Sequence, residues 1–160
     1  MQNEKSLKYA TFKKDQFNKY FKDVKVEDYK NVTVKRQLML LKDMGTSILS
    51  DADLTELNGV KAKMSTVYNA AKICPFDKQN CDLDIDKGWT LDPDIELTLA
   101  SSTNFDEQKY VWEQWHEKSG KLMRTDYKTY IDLMNKAAKE NGELISKYII
   151  IRFYSNSFFL

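Results

Sequence analysis

Residues 73–142 read ICPFDKQNCDLDIDKGWTLDPDIELTLASSTNFDEQKYVWEQWHEKSGKLMRTDYKTYIDLMNKAAKENG. Cys74 and Cys81 bracket the turn-rich PFDKQN, and an acidic segment containing Gly88 follows. Leu91-Asp92-Pro93-Asp94 then predicts a helix start. Asp92 suits the cap, and Pro93 suits the first helical position, where no N–H partner is needed. That helix is expected to end near Ser101-Ser102, and Asn104 or Asp106 begins the longest one. Met123, Tyr127, Tyr130, Met134 and Ala137 step by four, three, four and three, which puts them on one helical face. Ser119-Gly120 is expected to kink this helix, and Asn141-Gly142 to stop it.

Upstream, residues 3 to about 24 carry Ala10, Phe17, Phe21 and Val24 on one helical face, with lysines covering the other. The pattern breaks around Glu27–Tyr29. Asn31-Val32-Thr33 is an N-glycosylation sequon, meaningful only for a chain that enters the secretory path. From Thr33 to Met44 a helix places Val34, Leu38, Leu41 and Met44 on one stripe, with Gly45 as its stop. Ser50 or Asp51 caps a further helix whose apolar face is Leu54, Leu57, Val60, Met64, Val67, Tyr68 and Ala71. Gly59 inside it costs roughly 1 kcal/mol relative to alanine. These Leu and Met stripes read as helix-packing surface rather than as ligand boxes. Together they make the expected fold all-α.

Lys plus Arg number 25 and Asp plus Glu 24, so no strong field points to nucleic acid or an acidic lipid surface. No apolar run reaches the roughly 20 residues of a membrane-spanning helix. The start, MQNEKSLKYATFKK, lacks an apolar core of the kind a signal peptide carries and taken literally reads as not exported. Two cysteines at short spacing point instead to an oxidising compartment, so the localisation is left open. The last stretch, ELISKYIIIRFYSNSFFL (143–160), is β-branched and aromatic and continues none of the earlier patterns. Read as a strand it has no partner in a helical protein and is aggregation-prone.

The chemistry is sparse. A zinc helix of the form HExxH needs two histidines one turn apart, with the glutamate activating water. The chain has one histidine, and His116-Glu117-Lys118-Ser119-Gly120 reads HExxG. A lone helical histidine is ordinarily structural or solvent-facing, and it cannot also serve a Ser-His-Asp or Cys-His scheme. Asp84 and Asp86 read most simply as a solvated loop. Cys74 and Cys81 do not have zinc spacing, and no second pair completes four ligands. Two readings of them remain: a disulfide, which belongs to an oxidising compartment, or two free thiols.

The order of motifs adds a resemblance. KRQLMLLKDMGTSILS, VYNAAKIC with its second cysteine, LDPDI, ASS, YVWEQWHEKSGK and YIDLMNKAAKENG together resemble the N-terminal part of the angiotensin-converting enzyme (peptidyl-dipeptidase A) family of zinc metallopeptidases. The resemblance runs from about Leu7 to Gly142. It implies that residues 1–142 are the N-terminal helical portion of a large, mostly helical zincin-type peptidase, with 143–160 a tail that does not match the family.

The family resemblance implies an enzyme that releases C-terminal dipeptides from oligopeptides, with a zinc-bound water as attacking group and chloride as a modulating ion. The zinc ligands would lie downstream of anything in this chain, so the chain alone is expected to be inactive. By the same resemblance Cys74 and Cys81 form a disulfide, Asp92 lies near the substrate groove, and Asn31 is a glycan site. His116 stands where many members carry a chloride-holding arginine. Histidine holds an anion only when protonated, so this position reads as degenerate. The family is extracellular or membrane-anchored. The alternatives are a non-catalytic helical binding or decoy protein, and a truncated gene product.

Overall fold

The computed structural model describes residues 2–83 and 85–142. Among them the fold is all-α, and strand-type pairing is limited to one antiparallel bridge between Ile73 and Trp89. The helices are α1 (Gln2–Gln16), α2 (Val32–Lys42), α3 (Asp51–Ala70), α4 (Glu96–Ser101), α5 (Phe105–Lys118) and α6 (Gly120–Glu140). The chain divides into two compact units: residues 2–60 with 129–142, and Lys61–Lys128. The expected tail, 143–160, lies outside the described residues.

In the first unit, Ala10 of α1, Leu49, Leu54 and Leu57 of α3, and Leu133 and Ala137 of α6 form one buried cluster. Leu7, Ile48, Tyr130 and Met134 pack against it. The helix expected over 3–24 is α1 followed by a π-helical turn at Phe17–Phe21. Of its expected face, Ala10 is buried, whereas Phe17, Phe21 and Val24 are only half-buried. Ser50 caps α3: its hydroxyl accepts the Asp53 N–H at 3.1 Å. Leu54, Leu57 and Val60 are buried, as the periodicity predicts, but Tyr68 is exposed.

Helix α2 departs from expectation. Leu41, placed on the buried stripe, is 56% exposed, and Met39 and Leu40 are also exposed. The helix ends at Lys42, and Asp43 turns extended (φ −70°, ψ 111°). Met44 is therefore buried from beyond the helix, not as the next member of its stripe. Gly45 takes a positive φ of 54° but opens a short 3-10 turn, Gly45–Ile48, instead of closing α2 directly.

The second unit closes around Ile73, Ile95, Val111 and Trp115, with Ala71, Trp89, Leu91 and Tyr110 packed against them. Asn104 caps α5, its side-chain oxygen accepting the N–H groups of Asp106 (3.1 Å) and Glu107 (3.4 Å). The expected kink is a break: Ser119 (φ −116°, ψ −79°) separates α5 from α6, and its hydroxyl bonds back to the Trp115 carbonyl. On α6 the core-facing run starts at Tyr130 and includes Leu133 and Ala138, which the periodic reading passed over. Tyr127, expected on that seam, precedes the run and is exposed. Gly142 stops α6 at φ 84°, a left-handed conformation that a Cβ would strain.

Candidate functional site

Of the residues singled out by the resemblance, Cys74, Cys81, Asp92 and His116 lie in the second unit and Asn31 in the first. Cys74 and Cys81 are joined by a disulfide, with Cα atoms 5.6 Å apart. Helix α5 anchors this loop. The Tyr110 hydroxyl donates to the Cys74 carbonyl at 3.2 Å, and the Phe76 and Tyr110 rings meet edge-on at 5.7 Å. Burial pushes the Tyr110 hydroxyl above its usual range, so it stays protonated as a donor. Beyond the loop, Ile73 and Trp89 exchange backbone bonds of 3.0 and 2.8 Å. Gly88 makes that approach feasible, because a Cβ there would meet Leu83 Cδ2 at 2.6 Å and the Ile73 carbonyl at 3.3 Å.

The acidic segment is structural. Lys78 Nζ lies 2.6 Å from Asp86, which also accepts the Asp82 N–H at 3.0 Å. The ammonium first, and then that N–H, hold the Asp86 carboxyl below its ordinary value. Asp84, its partner in the sequence reading, lies outside the described residues.

Asp92 is exposed and extended (φ −110°, ψ 125°), and α4 begins only at Glu96. A helical turn at Leu91–Ile95 leads into α4, and its N–H groups make no bond to the Asp92 carboxylate, so the cap expected of Asp92 is not made. Asp94 orders the turn instead, accepting the Thr90 N–H at 3.1 Å and the Thr90 hydroxyl at 3.3 Å. Thr90 and Asp94 stand four positions apart, one more than the spacing of a capping box, so that signal did not mark the turn in the sequence.

Helix α5 splits its tryptophans. Trp115 turns inward and meets Tyr68 edge-on at 5.5 Å, while Trp112 is exposed. The His116 ring lies 4.0 Å from the Trp112 ring, and its Nδ1 is 2.6 Å from the Trp112 carbonyl. One ring nitrogen is thus occupied by backbone. Glu113 stands one turn earlier on the same helix and brings a like charge to the face an anion would approach. Among the described residues no three His, Cys, Asp or Glu side chains converge to hold a metal.

In the first unit a cleft of about 580 Å³ has Phe17, Val26, Met39, Met44 and Ile48 among its apolar walls. The Lys42 ammonium at its edge donates to the Val24 carbonyl at 2.6 Å, so the charge ties chain to chain. Periodicity gave no sign of this cleft, because its walls come from separate helices and turns. Asn31 is exposed and caps α2, its Oδ1 accepting the Thr33 N–H at 2.9 Å and the Val34 N–H at 3.1 Å.

What these residues build is a disulfide-pinned helical scaffold. The chain belongs to the angiotensin-converting enzyme family: the family profile of that description matches residues 1–155, running past Gly142. It is 30% identical over 141 residues to the angiotensin-converting enzyme of Theromyzon tessulatum, covering 87% of this chain and 22% of that protein. It is 32% identical over 145 residues to the mouse angiotensin-converting enzyme-like protein Ace3, covering 88% of this chain and 19% of that one. The bovine angiotensin-converting enzyme is 30% identical over 117 residues, 73% of this chain and 8% of its own length. The chain thus spans about a fifth or less of the curated relatives it matches. No described helix is long and apolar enough to cross a membrane.

Proposed function

We propose that this chain supplies the N-terminal helical scaffold of a zinc-dependent peptidyl-dipeptidase acting on oligopeptides, and that the 160 residues by themselves hydrolyse no peptide. One observation carries the reading. The family match covers nearly the whole chain, yet the single histidine is followed by Gly120 where a second zinc-binding imidazole would stand. The near-balance of charge gives nucleic acid no purchase, and the partners proposed are peptides. In this reading Asp92, exposed on the turn before α4, is the residue assigned to the neighbourhood of the substrate groove. The test is hydrolysis of a blocked tripeptide by the purified chain with added zinc. No release of dipeptide is expected, and turnover abolished by a chelator would overturn the reading.

A second reading, a non-catalytic helical binding or decoy protein, is favoured by apolar side chains left open to water. Leu40 and Leu41 on α2, Phe105 and Trp112 on α5, and Leu122 on α6 are exposed. A monomer with a sharp, cooperative melt supports this module. A broad melt with association supports a scaffold awaiting the rest of an enzyme.

A further inference from the structure

The cleft of the first unit has no task in the scaffold reading. Phe17, Val26, Met39, Met44 and Ile48 give it apolar walls, and its volume of about 580 Å³ suits a sizeable occupant. Met39 is 48% exposed, so apolar surface on these walls is left to water. Charges of both signs stand around it: Lys14 and Lys42, Asp43 and Glu140. The Lys42 ammonium gives one of its donors to the neutral Val24 carbonyl, and Glu140 is exposed. Such a lining favours an occupant that is apolar over most of its length and carries both signs of charge.

The course of the chain bears on what that occupant is. Asn141 is fastened at the cleft, donating to the Gly45 carbonyl at 2.9 Å and accepting the Met44 N–H at 3.0 Å, and Glu140 lines the cleft beside it. Residue 143 therefore starts within two positions of the wall. An extended chain advances about 3.3–3.6 Å per residue, so a few residues more reach across. The sequence of 144–153, LISKYIIIRF, is apolar apart from Ser146, Lys147 and Arg152, and Glu143 precedes it. The family match runs to residue 155 and so includes this stretch. So short a tether gives it a local concentration that a free ligand or a second copy does not reach in dilute solution.

We propose that residues 144–153 of this chain are the occupant of the cleft. Ile149, Ile150 and Ile151 supply apolar surface to its walls. Lys147 and Arg152 answer Asp43 and Glu140 at its rim, and Glu143 answers Lys42. The cleft is then a docking site filled from within the same chain, not one held open for a ligand.

The inference stands apart from the peptidase reading, because its readout is proximity and not hydrolysis. The test places a benzophenone-bearing amino acid at Met39 in the full chain, an exposed edge position that tolerates the change. Irradiation in dilute solution followed by peptide mapping is expected to join position 39 to a peptide within 143–160. Mixing isotopically light and heavy chains separates a cross-link within one chain from one between two copies. The same group at Tyr9, exposed on α1 and outside the cleft walls, is expected to give no such product. Ile149→Asp combined with Ile150→Asp is expected to abolish the product from position 39. Cross-links only between copies, capture of no peptide from 143–160, or a product that survives the double substitution overturns the inference.

Discussion

The ammonium of Lys136 on α6 lies 2.7 Å from Oδ2 of Asp53 in the first turn of α3, across 83 positions of sequence. Helix α3 benefits twice from this aspartate. Its negative charge sits at the positive end of the helix, and the Asp53 N–H meets the Ser50 hydroxyl at 3.1 Å. The hydrogen bond from Lys136, followed by that from Ser50, lowers the Asp53 carboxyl from its ordinary value. The same contact raises the Lys136 ammonium.

The pH dependence follows from those directions. A depressed carboxylate contributes stability above its unfolded value and loses it as pH falls through the folded one; a raised ammonium contributes below its unfolded value and loses it as pH rises through the folded one. Stability is therefore expected to decline at the acid end, where Asp53 takes up its proton, and at the alkaline end, where Lys136 gives one up. Asp53→Asn is expected to flatten the acid limb and lower the melting temperature slightly. A melting-temperature profile across pH for both proteins checks this, and an unchanged acid limb would remove the pair from any role in stability.

Leu57 is fully surrounded in the cluster that joins α1, α3 and α6. Leu57→Ala removes buried methyl groups and leaves a cavity, and is expected to cost about 2–5 kcal/mol by urea unfolding. Leu41→Ala, at an exposed position of α2, is expected to stay within about 0.5 kcal/mol. Equal effects at the two positions would contradict the burial pattern.

Reduction of the Cys74–Cys81 bond, or replacement of both residues by serine, is expected to cost roughly 2–3 kcal/mol, because a short loop is no longer closed in the unfolded chain. Denaturant titration with and without reductant measures it.

Gly88→Ala is expected to disturb the paired backbone of Ile73 and Trp89, since the added methyl would press on Leu83 and the Ile73 carbonyl. Slow amide exchange at Ile73 and Trp89 in the native protein, lost in the variant, is the expected result. Gly59→Ala, with open space around it in α3, should raise stability by about 1 kcal/mol.

The sequence made the helices legible and the partners of their faces much less so. Leu54, Leu57 and Val60 were readable because a 3.6-residue period marks a buried stripe wherever it faces. Leu41 and Tyr127 carried the same period and are exposed, since periodicity names a face without saying what covers it. The caps at Asn104 and Ser50 were local and therefore visible. Asp94's hold on Thr90 was local too, but its four-residue spacing matches no capping signal, whereas Asp92 beside a proline does. The Asp53–Lys136 pair and the first-unit cleft join distant segments, which a single sequence does not announce.

Asn141 donates from its side chain to the Gly45 carbonyl at 2.9 Å and accepts the Met44 N–H at 3.0 Å. Its place late in the chain sets a timetable during synthesis. A ribosome must release most of the polypeptide before Leu133, Ala137 and Asn141 can reach the helices that wait for them. Lys61–Lys128, being contiguous, has all its members earlier. The nascent N-terminal helices therefore spend the longest time with greasy surface unshielded, and that interval is when a chaperone has most to do.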